Sequence, residues 1–279
     1  VSTTMASYGL QSESLAFSLT DGMFLAKGSL QFLSHANNFE FINTTLMGHP
    51  LVTNDYGKIK SQNQQLDMGC KLSPHTNYSF SYWASQQDRE VPQNMTTPFS
   101  DAKQYDRAKR ALFSLNQKVN HFSIILKQAY LQEDFRYTEI LKNINSHYLA
   151  ESYISDADIK LIKGNYLFNL GGAFRAYNLA NNNYVSMGKQ ERSLAAFSAL
   201  QYRSDFLAFN TVLRKEWQTT FEVPIMPTLA FEAELSPAIK FRLKYNRNFR
   251  SPTFNDRFWA GTGANGKHDL TPEDAWNKE

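Results

Sequence analysis

The feature that most constrains this chain is a strict alternation of apolar and polar side chains, repeated over long segments. In 228–235, Leu229, Phe231, Ala233 and Leu235 share one face, and Thr228, Ala230, Glu232 and Glu234 share the other. After a Ser236-Pro237 turn, Ile239, Phe241, Leu243 and Tyr245 alternate with Lys240, Arg242, Lys244 and Asn246. A side-chain period of two fixes a β conformation, because successive Cβ atoms point to opposite faces of a pleated strand. The polar face is acidic on the first strand and basic on the second, which predicts cross-strand pairs.

The same grammar recurs upstream. Leu15, Phe17 and Leu19 form one apolar set, and Phe24, Ala26, Leu30 and Phe32 form another after Asp21-Gly22. Tyr78, Phe80 and Tyr82, then Ala111, Phe113 and Leu115, then Phe122, Ile124, Leu126 and Tyr130 follow. Tyr166, Phe168, Leu170 and Phe174, then Leu194, Ala196, Leu200 and Tyr202, then Leu207, Phe209 and Leu213 complete the series. This reading gives about twelve strands. Segments 120–132, 165–178, 190–203 and 205–218 exceed the usual soluble strand of about five or six residues.

The connections alternate as well. Tight turns are expected at Asp21-Gly22, Ser73-Pro74-His75, Lys118, Lys163-Gly164-Asn165, Ser204-Asp205 and Ser236-Pro237. Long polar segments are expected at 35–60, 90–106, 134–146, 180–189 and from 247 onward, with 219–226 intermediate. Short and long in turn is the pattern of an antiparallel up-and-down transmembrane β-barrel, with tight turns on one side and long loops on the other. The fold class expected is therefore all-β. Tyr78, Tyr153, Tyr166, Tyr202, Trp217 and Tyr245 stand where interfacial aromatic girdles would run.

Composition is consistent with this and excludes other classes. Mean hydropathy is −0.48, which suits a wall with only one lipid-facing side. No run of about eighteen apolar residues exists to form a membrane helix. The net charge of +3 comes from scattered residues with no basic stripe, so no nucleic-acid partner is expected. Cys70 is the single cysteine, which leaves no internal disulfide and no cysteine-based metal site. Asn43-Thr44-Thr45, Asn77-Tyr78-Ser79 and Asn94-Met95-Thr96 match a short, common acceptor pattern that carries little weight.

One stretch is more specific. It reads Asn246-Arg247-Asn248-Phe249-Arg250-Ser251-Pro252-Thr253-Phe254-Asn255-Asp256-Arg257-Phe258-Trp259 and continues to Leu270-Thr271-Pro272-Glu273. It resembles the late-barrel signature of TonB-dependent outer-membrane receptors. The matching positions are Phe249, Arg250, Pro252, Asn255, Asp256, Phe258, Trp259, Leu270, Pro272 and Glu273. Gly263-Ala264-Asn265-Gly266 replaces the family's Gly-Asn turn. Ser34 with Asn37-Asn38-Phe39-Glu40-Phe41-Ile42-Asn43 is similar to an early-barrel segment, especially in the cobalamin-receptor branch. The resemblance implies a barrel of about twenty-two strands, of which this chain holds roughly the middle half. It implies that residues 1–279 are part of the barrel domain, with the plug domain and TonB box absent from this sequence. The chain opens at Val1 without a signal peptide and ends in what reads as a new strand near Trp276, so a fragment at both ends is expected.

The implied function is TonB-energised uptake of a scarce nutrient across the bacterial outer membrane. A corrinoid, ferric siderophore, haem or glycan are the candidate ligands. The partners implied are TonB through the plug, membrane lipid and the small-molecule ligand. A passive pore or secretion barrel is the alternative. No catalytic, cofactor-binding or metal residue is assigned. Six dispersed histidines show no ligand spacing. Asp156, Asp158 and Glu151 suggest a calcium loop but lack EF-hand spacing. His121 and Ser123 share a strand face read as lumen, not the lipid edge that a membrane phospholipase would use. Arg250 and Asp256 are expected to pair at the loop base, and Gly171-Gly172 to relieve crowding in the wall.

Overall fold

The computed structural model describes residues 1–92, 94–96, 100–186, 188–261 and 263–279. The expected loops 90–106, 180–189 and the one after 247 each include positions outside that set. In chain order the strands are β1 (Ser2–Ala6), β2 (Leu10–Thr20), β3 (Phe24–His35), β4 (Glu40–Ile42), β5 (Leu51–Thr53) and β6 (Ile59–Ser73). Then come β7 (Thr76–Glu90), β8 (Lys103–Val119), β9 (Phe122–Glu139), β10 (Ile144–Lys163), β11 (Tyr166–Asn181) and β12 (Gly188–Arg203). The last are β13 (Leu207–Gln218), β14 (Met226–Ser236), β15 (Ile239–Arg250), β16 (Ala260–Gly261), β17 (Ala264–Asn265) and β18 (Glu273–Lys278). One short helix, α1 (Phe254–Phe258), lies between β15 and β16.

Fourteen strands form one antiparallel meander in the order β1-β2-β3-β6-β7-β8-β9-β10-β11-β12-β13-β14-β15-β18. β4-β5 and β16-β17 are small separate hairpins inside long connections. The sheet is open, with β1 and β18 at its edges. Hydrogen bonding between neighbours is what lets strands cross a bilayer, where an unpaired amide has no water to turn to.

The turns fall where the sequence marks them, with one small shift. Gly22 and Gly164 adopt positive φ of 60° and 55° in their turns. The turn expected at Lys118 instead centres on Asn120, whose φ is 53°. Asparagine tolerates that region better than lysine, so β8 runs on to Val119.

One expected loop is largely strand, and one strand is not anticipated by the sequence pattern. Residues 134–146 do not form a long loop: β9 continues to Glu139, a single 3₁₀ turn spans Ile140–Lys142, and β10 starts at Ile144. Asp156, Asp158 and Glu151 therefore sit within β10, the two aspartates on one face and Glu151 on the other, and not in a calcium-binding loop. The second surprise is β6, whose first half, Ser61-Gln62-Asn63-Gln64-Gln65, is polar on both faces. Neither region has the apolar alternation that reveals a lipid-facing strand.

Register divides the side chains into two faces. On one face of β9 and β10, Phe122 lies opposite Leu161, Ile124 opposite Ile159, and Leu126 opposite Ala157. On the other, Lys127 lies opposite Asp156 and Ser123 opposite Lys160. Leu170, Leu194, Leu213, Leu229, Phe241 and Leu243 are all exposed on the apolar face. Such a band of solvent-exposed aliphatics has no purpose in water and fits a hydrocarbon layer. In β14 and β15 the polar face pairs Glu232 with Arg242 at 2.8 Å, and Lys240 bridges Glu232 at 3.1 Å and Glu234 at 3.6 Å.

Aromatics bound the band at both rims. Tyr166 and Tyr202 sit near the tight turns with ring centroids 4.8 Å apart. Tyr130 and Tyr153 approach to 4.9 Å on the other side, as do Tyr245 and Trp276. β10 runs from Tyr153 down to Lys163 inside the band, close to the roughly 9–11 residues a tilted barrel strand needs. Its other half, from Ile144 to Ser152, projects roughly 20 Å past the girdle. Gly171 is the position where crowding is relieved: the Phe197 ring from the opposite residue of β12 lies over it, in the space a Cβ would occupy.

Candidate functional site: the crown of long loops

All long connections emerge at the end away from the tight turns. They are knitted together by specific side chains, and α1 is the centre of that network. Pro252 follows the last residue pair of β15 and cannot donate to a strand ladder, so the strand ends at Arg250. Thr253 then caps α1. Its hydroxyl accepts from the Asp256 amide at 3.2 Å, and the Asp256 carboxylate accepts from the Thr253 amide at 2.8 Å. This reciprocal pair satisfies donors that the first helical turn leaves free. Hydrogen bonds from the Thr253 backbone and then its hydroxyl hold the Asp256 carboxyl below its ordinary pKa. Asp256 is thus engaged in a cap and does not pair with Arg250, which reaches Glu273 at 3.4 Å across the β15–β18 ladder. A capping partner three residues away outcompetes a long exposed side chain that must lose rotamer freedom to pair.

Arg257 is the keystone. Its side chain is 4% exposed and donates to Glu191 of β12 at 2.8 Å. Its guanidinium lies 5.1 Å from the Phe221 ring centroid, 5.2 Å from that of Phe254 and 4.9 Å from that of Phe258. A charge so enclosed requires both its ion partner and its aromatic faces. Arg257 thereby ties the β15–β18 connection to the β13–β14 connection and to β12.

The β11–β12 connection joins the same knot. Tyr184 donates to Asn255 at 2.5 Å, and Tyr184 bridges to Trp259 in the backbone. Burial raises the Tyr184 pKa, which keeps the phenol a donor. The Ala260 amide donates to the Asn183 carbonyl at 2.7 Å, and Lys189 sits 4.0 Å over the Phe258 ring. Asn182 and Asn183 reach across to the Asn145 carbonyl and the Ser146 hydroxyl of β10 at 2.7 and 3.0 Å. The 3₁₀ turn after β9 is held by Asp101, which accepts from the Leu141 amide at 3.1 Å. Asn43, in the β3–β6 connection, donates to the Met95 carbonyl at 3.1 Å. Contacts thus run between neighbouring loops from Asn43 to Ala260.

The ten signature positions divide by role. Phe249 and Arg250 end β15 on opposite faces, and Glu273 opens β18 opposite Arg250. Asn255, Asp256, Phe258 and Trp259 build the knot around α1. Leu270 closes a turn on Lys267, and Pro272 precedes β18. Gly263 takes a φ of 93° in the β16–β17 hairpin that stands in place of the family's Gly-Asn turn. Arg257 was visible in the motif but had no assigned role, because Glu191 and Phe221 lie far away in sequence. The Asn43-Thr44-Thr45 and Asn94-Met95-Thr96 motifs are local turns: each Asn carboxamide oxygen accepts from the Thr hydroxyl two residues on, at 2.7 and 2.8 Å.

A family profile described as "TonB dependent receptor-like, beta-barrel" matches residues 12–279. The chain belongs to that family. Among solved structures, the receptor barrel is similar to the siderophore receptor PirA from Pseudomonas aeruginosa, with 12% identity and a TM-score of 0.70 over 98% of this chain and 49% of that one. The FrpB iron transporter from Neisseria meningitidis gives 10% identity and a TM-score of 0.68 over 90% and 45%. The copper transporter OprC gives 9% and 0.65 over 97% and 48%. At such identities the likeness shows the fold. The chain spans about half the length of those proteins. No curated protein matches it in sequence. The TonB-dependent receptor family places this barrel wall in the bacterial outer membrane, among transporters and receptors. The cobalamin branch suggested by residues 34–43 has no counterpart among these three structures, which are a siderophore receptor, an iron transporter and a copper transporter.

Proposed function

We propose that this chain is roughly half of the wall of a receptor for TonB-energised uptake of a scarce nutrient. Residues 1–279 belong to its barrel domain, and a plug domain encoded elsewhere in the receptor fills the polar side and contacts TonB. The ligand binds first on the loop crown and then passes along the polar face. Corrinoid, ferric siderophore, haem and glycan remain the ligand classes, and the likeness to siderophore, iron and copper proteins weights the choice toward metal-bearing cargo. No residue has a catalytic role in this reading.

The observation that carries it is the asymmetry of the two ends. A passive pore needs only to keep its mouth open. Here the strands β9 and β10 extend far past the girdle, and every long loop is bound to a neighbour through named contacts such as Arg257–Glu191. A prearranged crown of this kind lowers the ordering cost of ligand capture.

The test is uptake by cells that carry or lack the full-length receptor, at limiting concentrations of each ligand class. Uptake of one class should depend on the receptor and stop when the proton gradient or TonB is removed. Receptor-dependent uptake that continues without either would instead establish a passive pore.

A further inference from the structure

The connection between β3 and β6 carries a hairpin with an unusual tip. β4 and β5 pair from Glu40–Thr53 to Ile42–Leu51, and the chain reverses through Leu46, Met47, Gly48 and His49. The His49 amide donates to the Leu46 carbonyl at 3.1 Å, which folds the tip back on itself. Gly48 and His49 both take positive φ, 79° and 45°. Glycine adopts that conformation freely and histidine uncommonly, so a turn built only to reverse the chain would do better with glycine at 49. Met47 and His49 are both exposed, and the Met47 side chain stands wholly in water.

A second methionine is brought to this tip from another connection. The Met95 carbonyl accepts from the Asn43 carboxamide at 3.1 Å, and the Thr45 hydroxyl lies 2.6 Å from the same oxygen. Thr45 is two residues from Met47, at most about 7 Å of chain. Met95 is itself exposed. Two thioethers and an imidazole therefore share one corner of the crown. Their surroundings are neutral: residues 41–54 and 91–100 contain no aspartate, glutamate, lysine or arginine. Ile42, Leu46 and Leu51 are exposed around the tip, and Ile42 lies opposite Leu51 in the hairpin. Calcium and magnesium need several oxygen ligands, and zinc takes thiolate, imidazole or carboxylate. Thioether sulfur selects a softer ion, Cu(I) above all. Methionine has three rotatable bonds, so both sulfurs can close on one ion.

We propose that Met47, His49 and Met95 form a three-coordinate site for a cuprous ion at the tip of the β4–β5 hairpin. Two sulfurs and one nitrogen of a neutral imidazole supply the ligands. Ile42, Leu46 and Leu51 form an apolar collar that limits the access of water to the ion. The bound ion pins the β3–β6 connection to the β7–β8 connection, in addition to the Asn43–Met95 hydrogen bond. The site goes beyond the uptake reading, because it requires neither TonB nor a particular cargo.

The test is anaerobic titration of purified full-length receptor with Cu(I), in competition with a chromophoric cuprous chelator. Ag(I) serves as a redox-inert probe of the same site in air. Met47→Leu, Met95→Leu and His49→Gln should each weaken the binding of one ion more than about tenfold, since even the groups behind metal ligands are worth that much. The triple variant should lose that ion. Met5→Leu and Met23→Leu, at exposed methionines elsewhere on the sheet, should leave the affinity unchanged. X-ray absorption of the one-equivalent copper complex should show sulfur and nitrogen neighbours, and excess Zn(II) should not displace the copper. Heat-shifted gel mobility shows that each variant has folded. Absence of Cu(I) binding, equal binding by the triple variant, a shell without sulfur or displacement by Zn(II) overturns the proposal. The titration involves no TonB and no energised membrane, so its failure leaves the transport reading standing, and failed uptake leaves the site standing.

Discussion

The two ends of the sheet solve the same problem by opposite means. At the tight-turn end the strands turn back at once within a few residues, and Gly22, Asn120 and Gly164 supply positive φ in three of the turns. At the crown end the long connections have local turns too, such as Asn143, but they are also held by neighbours: Asn43 by Met95, Leu141 by Asp101, Tyr184 by Asn255, Arg257 by Glu191. Local geometry suffices where the chain only has to reverse. A surface that must hold a shape to receive a ligand needs long-range contacts that fix loops against each other. The wall between the ends follows a third rule, in which lipid on one side and water on the other impose the alternation.

The largest effect that would break this comparison is sidedness. In a Cys70→Ala background, cysteines placed at Met47 and Asp269 of the full-length receptor should react with an impermeant thiol reagent on intact cells. Both positions are exposed in crown connections. Cysteines at Asp21 and Pro237, in tight turns, should react only after the cells are opened. Equal labelling of the two sets on intact cells would mean that the ends do not face opposite compartments.

Next in size is the keystone. Arg257→Ala leaves Glu191 without its partner and empties the space between Phe221, Phe254 and Phe258. The crown should lose about 3–5 kcal/mol of local stability, as for a buried ion pair cut on one side. Hydrogen exchange should quicken at 251–261 and 219–225 while the tight turns keep their rates. Arg257→Lys should recover only part of the loss, because an ammonium cannot stack on the rings as a guanidinium does. If exchange quickens evenly at both ends, the crown is not a separate network.

The wall gives a smaller effect. Leu243 is 54% exposed on the apolar face. Leu243→Arg should cost about 2–4 kcal/mol if the position lies near the midplane, whereas Lys244→Arg on the polar face should stay within about 0.5 kcal/mol. Denaturant titration of receptor refolded in vesicles measures both. Similar costs for the two substitutions would mean that the faces are misassigned.

These three regions also differ in how much the sequence reveals. The wall is legible where lipid meets one face, as in the alternation of Leu229, Phe231, Phe241 and Leu243 with Glu232 and Arg242. It fades where strands leave the bilayer. The upper halves of β6 and β10 lack apolar alternation, so Gln62 and Gln64 give no strand signal and Glu151 reads as loop, although each is paired in the ladder. The tight turns are legible because glycine, proline and asparagine act locally. The crown is only half legible. Its centre appears as a motif, but the reason for Arg257 lies in Glu191 and Phe221, and no periodicity links residues so far apart.

The smallest expected effect separates local from long-range control inside the crown itself. The Thr253–Asp256 cap is a local device set in a long-range network, so it should fail alone when its own chemistry is removed. Its hydrogen bonds, first from the Thr253 backbone and then from the hydroxyl, lower the Asp256 pKa in the folded state. A group with a depressed folded pKa contributes stability that is fully present above its unfolded pKa, near 3.9. That contribution is lost as pH falls through the lower folded value. The window for loss therefore lies below about pH 4, and neutral pH is a plateau. Protease protection of residues 251–261, followed with an acid-active protease, should decline below that point in wild-type receptor. Asp256→Asn should abolish the decline, since the amide oxygen still accepts but no longer titrates. Thr253→Ala should cost about 1 kcal/mol at neutral pH, the ordinary loss of a helix cap. The Arg257–Glu191 contact should survive both changes, visible as unaltered exchange at 219–225. If either substitution also loosens 219–225, the cap and the keystone are one cooperative unit, and local control ends at the tight turns.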